Sequence, residues 1–186
     1  MQKVARWCDW QRQGLEHCVL TGTAEGLTLD GVVAGCDPAL FGAYYWVRTD
    51  AQFHTREVRL CFTGGRCLHL ASDGRGQWQD VTRAAAIPAL EGCIDVDIGI
   101  TPATNTLPVR RLGLAVGASA EILAAFVPPP ETGAGEAAPR MTRQRYTRLD
   151  ETRYRYEGLE SGFTAEIEVD AAGMVLDYPG VFRRLG

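Results

Sequence analysis

Phe163-Thr164-Ala165-Glu166-Ile167-Glu168-Val169 alternates apolar and polar side chains without a break. Phe163, Ala165, Ile167 and Val169 share one face of an extended chain, and Thr164, Glu166 and Glu168 share the other. A period of two marks an antiparallel strand with one face buried and one in water. The same pattern, less regular, extends to residues 44–48, 57–63, 66–71 and 154–157, which are rich in β-branched and aromatic side chains. Turn formers punctuate the chain at Ala24-Glu25-Gly26, Gly64-Gly65, Asp73-Gly74 and Ala171-Ala172-Gly173. Strands joined by short turns predict a mainly β fold, an antiparallel sheet that curls to limit its exposed edges.

Helical period is scarce. Residues 81–90 are Ala-rich but carry Pro88, so they make a weak helix candidate. A better one begins near Thr106, an acceptable N-cap, with Pro108 in the first turn and Gly113 placed to close it. That helix is about two turns long.

At 186 residues the chain suits one domain, here 1–186, and buries roughly 70% of its unfolded surface. Residues 128–139, rich in Pro, Gly and Ala, read as a long surface loop inside that domain. Hydrophobic residues make up 46% and charged residues 23%, the balance of a globular protein. A net charge of -4 lacks the basic footprint of a nucleic-acid binder. Apolar runs are too short for a transmembrane helix. The N-terminus has no apolar stretch of the signal-peptide kind, so a cytoplasmic location is expected. The cysteines at 8, 18, 36, 61, 67 and 93 show neither Cys-x-x-Cys nor zinc spacing. All six are expected to be reduced and unpaired, and no metal or cofactor is expected.

The densest chemistry lies in residues 92–112. Ile94, Val96 and Ile98 alternate with Asp95 and Asp97, as in a strand. The two carboxylates then share a face with Cβ atoms roughly 7 Å apart. Paired carboxylates serve acid/base chemistry, but such a pair more often lies solvated on a strand's polar face. Arg110 and Arg111 follow, and guanidinium forks grip carboxylates, so a buried contact between one of these arginines and Asp95 or Asp97 is expected. Thr101, Thr104, Asn105 and Thr106 add hydroxyls and an amide, either as a capped turn or as a polar rim for sugar hydroxyls or phosphate. Nucleophilic catalysis has little support. The serines, at 72, 119 and 161, form no Gly-x-Ser-x-Gly elbow, and His17, His54 and His69 are scattered. The aromatics Tyr44, Tyr45, Trp46, Tyr146, Tyr154, Tyr156 and Tyr178 suit a sheet core or the wall of an apolar cavity.

The run Gly92-Cys93-Ile94-Asp95-Val96-Asp97, with Thr101-Pro102-x-Thr104-Asn105-Thr106-Leu107-Pro108-Val109-Arg110-Arg111-Leu112, resembles the signature of a bacterial family of unknown function named for glycolipid binding. Trp7, Glu16, Thr55-Arg56-Glu57-Val58, Asp73, Trp78, Tyr154-Arg155-Tyr156 and Asp177-Tyr178-Pro179-Gly180 look similar as well. The resemblance implies a strongly curved antiparallel sheet, a half-barrel or β-roll, like that of periplasmic lipoprotein carriers, wrapping the short helix. Those carriers are exported, whereas this N-terminus carries no export signal. It further implies a glycolipid or other amphipathic small molecule in the concave face, with Asp95, Asp97, Thr101, Thr104, Asn105, Arg110, Arg111 and Tyr178 at its polar end. Three alternatives stand beside that reading: a hydrolase with Asp95 and Asp97 as acid and base, a protein-interaction module, and a purely structural Asp–Arg network that holds the helix inside the sheet. Passive binding is preferred to catalysis.

Overall fold

The structure, a computed structural model, describes residues 1–37, 39–130 and 138–186. Most of the loop expected at 128–139 lies outside the described residues. Strands β1 (Gln2–Asp9), β2 (Leu15–Thr23), β3 (Gly26–Gly35), β4 (Phe41–Thr49), β5 (Thr55–Phe62), β6 (Cys67–Ser72), β7 (Trp78–Asp80) and β8 (Ala85–Ala86) form an antiparallel meander. Strand β9 (Asp95–Ile98), helix α1 (Thr106–Leu112), β10 (Ser119–Val127), β11 (Arg140–Arg148), β12 (Arg153–Gly158) and β13 (Phe163–Glu168) follow. Strands β14 (Asp177–Tyr178) and β15 (Phe182–Leu185) return to pair beside β1. Two sheets result: ten strands in the order β14-β15-β1-β2-β3-β4-β5-β6-β7-β8, and five in the order β13-β12-β11-β10-β9.

The mainly β expectation and the short helix hold. The five-stranded sheet is curled as a half-barrel. Its pairs are antiparallel except one, β9 with β10. Parallel neighbours need a crossover, and residues 99–118 supply it. That crossover carries a 3-10 turn, Ala103–Asn105, and α1. Gly113 ends α1 at φ 51, a left-handed conformation that costs glycine little. The two faces of α1 serve different cores. Leu107 packs into the core of the large sheet, and Val109 into that of the curled sheet.

Alternation explains the large core. On β3 and β4 the inward residues are Leu27, Leu29, Val33, Ala43, Tyr45 and Val47, all buried. Gly31 faces inward among them. A side chain there would collide with the Tyr45 ring, so the glycine lets that ring lie across the sheet. The sheets are joined by polar bonds as well as by apolar packing. Thr55 N donates to Ile94 O at 3.1 Å, and Val96 N donates to Thr55 Oγ1 at 3.2 Å. Trp78 Nε1 donates to Cys93 O at 2.8 Å, and Trp7 Nε1 to Val175 O at 2.9 Å.

Two expectations are corrected. Residues 81–90 form no helix. Ala84 takes φ 50, Ala85–Ala86 pair as β8, and Pro88 opens a single 3-10 turn, Pro88–Leu90. The six cysteines are not all unpaired: Cys61 and Cys67 form a disulfide. They stand directly opposite in the β5–β6 hairpin, with Cα atoms 4.1 Å apart, so the turn between them brings the two sulfurs together. Cys8, Cys18 and Cys93 are buried and free, and Cys36 is half-buried and free.

Candidate functional site

The segment leaving β9 sets one wall of a cleft of about 550 Å³. Asp97 and Gln144 lie at its polar end, with Thr101 and Asn105 from the crossover beside them. The opposite wall is aromatic. Tyr156, Phe163, Tyr178 and Phe182 pack edge-on or tilted, at centroid distances of 6.1–6.4 Å. They come from β12, β13, β14 and β15, so the cleft lies where the curled sheet meets the end of the large one. Arg140 and Arg143 stand at the rim, Arg140 with its guanidinium 4.9 Å over the Phe126 ring.

The eight residues singled out from the sequence divide into two groups. Asp97, Thr101, Asn105 and Tyr178 line the cleft. Asp97 accepts a hydrogen bond from Gln144 Nε2 at 2.7 Å, and Asn105 Nδ2 donates to Tyr146 Oη at 2.8 Å. Burial pushes the Asp97 carboxyl up to about 6, against the pull of bonds from Gln144 and Thr104. Burial also pushes the Tyr178 hydroxyl well up, and neighbouring Tyr156 adds to the effect. These groups offer hydrogen-bonding atoms to the cleft, with Asp97 charged above about pH 6.

Asp95, Thr104, Arg110 and Arg111 do not line the cleft. Asp95 is 1% exposed and is gripped by Arg111 through Nε at 3.0 and 3.1 Å and Nη2 at 2.5 Å. The contact expected between these charges therefore exists, and it braces α1 against β9. Arg110 turns the other way. It donates to Ala172 O at 3.1 Å and lies 4.7 Å over the Phe53 ring. Thr104 accepts from Ile98 N at 3.3 Å and closes the turn. Asp95 and Asp97 border one small void that has no room for a water molecule, and only Asp97 reaches the cleft, so the pair does not flank a substrate-sized space as acid and base.

A further carboxyl is drawn in by Thr101. Glu16, an inward residue of β2, is 2% exposed. Its Oε1 accepts from Tyr45 Oη at 2.5 Å and from Thr101 Oγ1 at 2.6 Å. Burial pushes the Glu16 carboxyl up to about 7, while those two bonds pull it down. Chemical reasoning from the sequence did not reach Glu16 or Gln144. The signal was present, since each is the lone acid or amide on the inward side of its strand.

The model of the family described as "Putative glycolipid-binding" matches residues 4–184. The chain belongs to that family. A solved structure agrees: a DUF1089 family protein from Pseudomonas aeruginosa is 42% identical, covers 92% of each chain and superposes with a TM-score of 0.77. No curated protein matches. The family match takes in both the crossover and the aromatic wall of the cleft. No helix among the described residues is long and apolar enough to cross a membrane.

Proposed function

We propose that the protein binds a glycolipid or similar amphiphile, with the ligand's apolar part along the aromatic wall and its polar part over Asp97, Thr101, Asn105 and Gln144. The observation that carries this reading is the cleft itself. Its volume of about 550 Å³ lies within the roughly 300–1,000 Å³ of small-molecule sites. Its lining joins a mostly apolar wall to a few convergent polar groups, which is the division an amphiphile needs. The family's description supports the same reading.

The test is displacement of N-phenyl-1-naphthylamine by alkyl glucosides below their micellar concentrations. Each added methylene is worth about 0.8 kcal/mol, so affinity rises about fourfold per carbon until the cleft is full. Phe163→Ala and Phe182→Ala each weaken binding by roughly tenfold, the loss expected for one aromatic contact. Absence of fluorophore binding, or affinity indifferent to chain length, would overturn the proposal.

A further inference from the structure

Beside the cleft lies a second, smaller chamber of about 230 Å³. The two share Gly99, Pro129, Val181 and Phe182 as a common wall. Their charges differ. The cleft has Arg140 and Arg143 against Asp97 and Glu160. Among the described residues, the chamber is lined by Asp9, Glu16 and Asp37 and by no Lys, Arg or His.

Glu16 singles the chamber out. Both hydrogen bonds to this carboxyl go to Oε1, while Oε2 is buried and has no hydrogen-bond partner among the described residues. A buried oxygen without a donor is costly, and native structures leave few of them. Asp9 differs in being saturated. It accepts from Gln13 N at 3.1 Å, Gly14 N at 2.5 Å and Cys36 Sγ at 3.2 Å, and so holds its charge on the chamber wall. Phe41 adds aromatic wall, which is compatible with a cation.

We propose that this chamber is a cation subsite, taking the ammonium group of an amine-bearing amphiphile whose apolar part lies in the cleft. The inference rests on the amphiphile reading and narrows it. The ammonium brings donors to the unmatched Glu16 oxygen, which favours the ionised form of that carboxyl, and compensates Asp9 and Asp37, which no cation of the chamber lining faces among the described residues. Its source is either an amino sugar in the head group or an amine on the lipid part.

Cys36 reports on the chamber directly. It lines the chamber half-buried, whereas the other free cysteines, Cys8, Cys18 and Cys93, are buried. Alkylation of Cys36 by iodoacetamide in the folded wild-type protein is followed with octylammonium, octyl glucosaminide, octyl glucoside and octanoate as protectants. An ammonium probe is expected to protect at concentrations at least tenfold below the glucoside and octanoate. Protection by octyl glucosaminide alone assigns the amine to the sugar, and protection by octylammonium alone assigns it to the lipid. Glu16→Gln brings the ammonium probes to the level of octyl glucoside. Should that variant fail to fold, the wild-type series decides. Equal protection by all four probes, or a preference for octanoate, overturns the subsite while leaving the cleft reading intact. If no probe displaces the naphthylamine fluorophore, the cleft reading fails and the subsite falls with it.

Discussion

At the scale of single residues, buried carboxyls set the energetics. Asp95 is held in a low-dielectric site by one guanidinium. Removing that partner leaves a buried charge uncompensated, so Arg111→Ala is expected to cost about 3–5 kcal/mol in urea unfolding. Arg110→Ala loses a ring contact and one hydrogen bond, about 1–2 kcal/mol. Equal losses for the two variants would contradict this division of labour. Glu16 and Asp97 control the response to pH. Burial raises Glu16 from 4.5 to about 7 and Asp97 from 3.8 to about 6. A carboxyl raised in the folded state is protonated there while already ionised in the unfolded chain, so stability falls as pH rises from about 4 to about 7. Each group contributes on the order of 3 kcal/mol to that fall. Asp170 works the other way. Burial raises it, but bonds from Lys3 and Arg184 outweigh this and hold it below its ordinary 3.8, so its contribution is lost only under strong acid. The melting temperature is therefore expected to be higher at pH 5 than at pH 8, and Glu16→Gln is expected to flatten that limb. A flat wild-type profile over the same range would show that these carboxyls ionise normally.

At the scale of elements, what the sequence made legible depended on how many neighbours each segment has. Strand β13 is covered on one face, and its alternation reads cleanly. Helix α1 was legible from Thr106 to Gly113, because its Pro and Gly report on local backbone geometry alone. Strand β9 misled. Its aspartates looked like the wet side of a strand, yet β9 lies between two cores and Asp95 is shut in. Polar residues mean water only where one face is open. The disulfide was missed for a related reason: the pairing of Cys61 with Cys67 depends on register, which the spacing of cysteines does not encode. Two outcomes test these elements. Gly113→Ala forces a side chain into the left-handed region and is expected to cost about 1–2 kcal/mol in thermal unfolding, although nothing crowds the site. Thiol titration of denatured, non-reduced protein is expected to find four free cysteines, and reduction to lower stability by about 2 kcal/mol, the entropy of a short closed loop.

At the scale of the whole molecule, the cleft lies where the curled sheet meets the end of the large one and side chains leave space between them. About a third of its polar lining was legible, since Thr101 and Asn105 sit in one turn with Asp97 close by in sequence. The rest comes from β11 and from the turn between β12 and β13, and only folding brings these beside the crossover. The joint between the sheets is therefore the feature on which the site depends most. Thr55 is central to it: fully buried, it donates its backbone N–H to Ile94 and offers its hydroxyl to Val96 N. Thr55→Val keeps the shape and removes the acceptor, so Val96 N–H is left buried without a partner. The expected cost is about 1–3 kcal/mol. Because Val96 is the residue before Asp97, the loss is expected to reach the cleft as well. Hydrogen exchange should quicken at Val96 in the variant, and naphthylamine affinity should fall with it. Unchanged exchange at Val96, with stability within about 0.5 kcal/mol of wild type, would mean that apolar packing alone holds the sheets together.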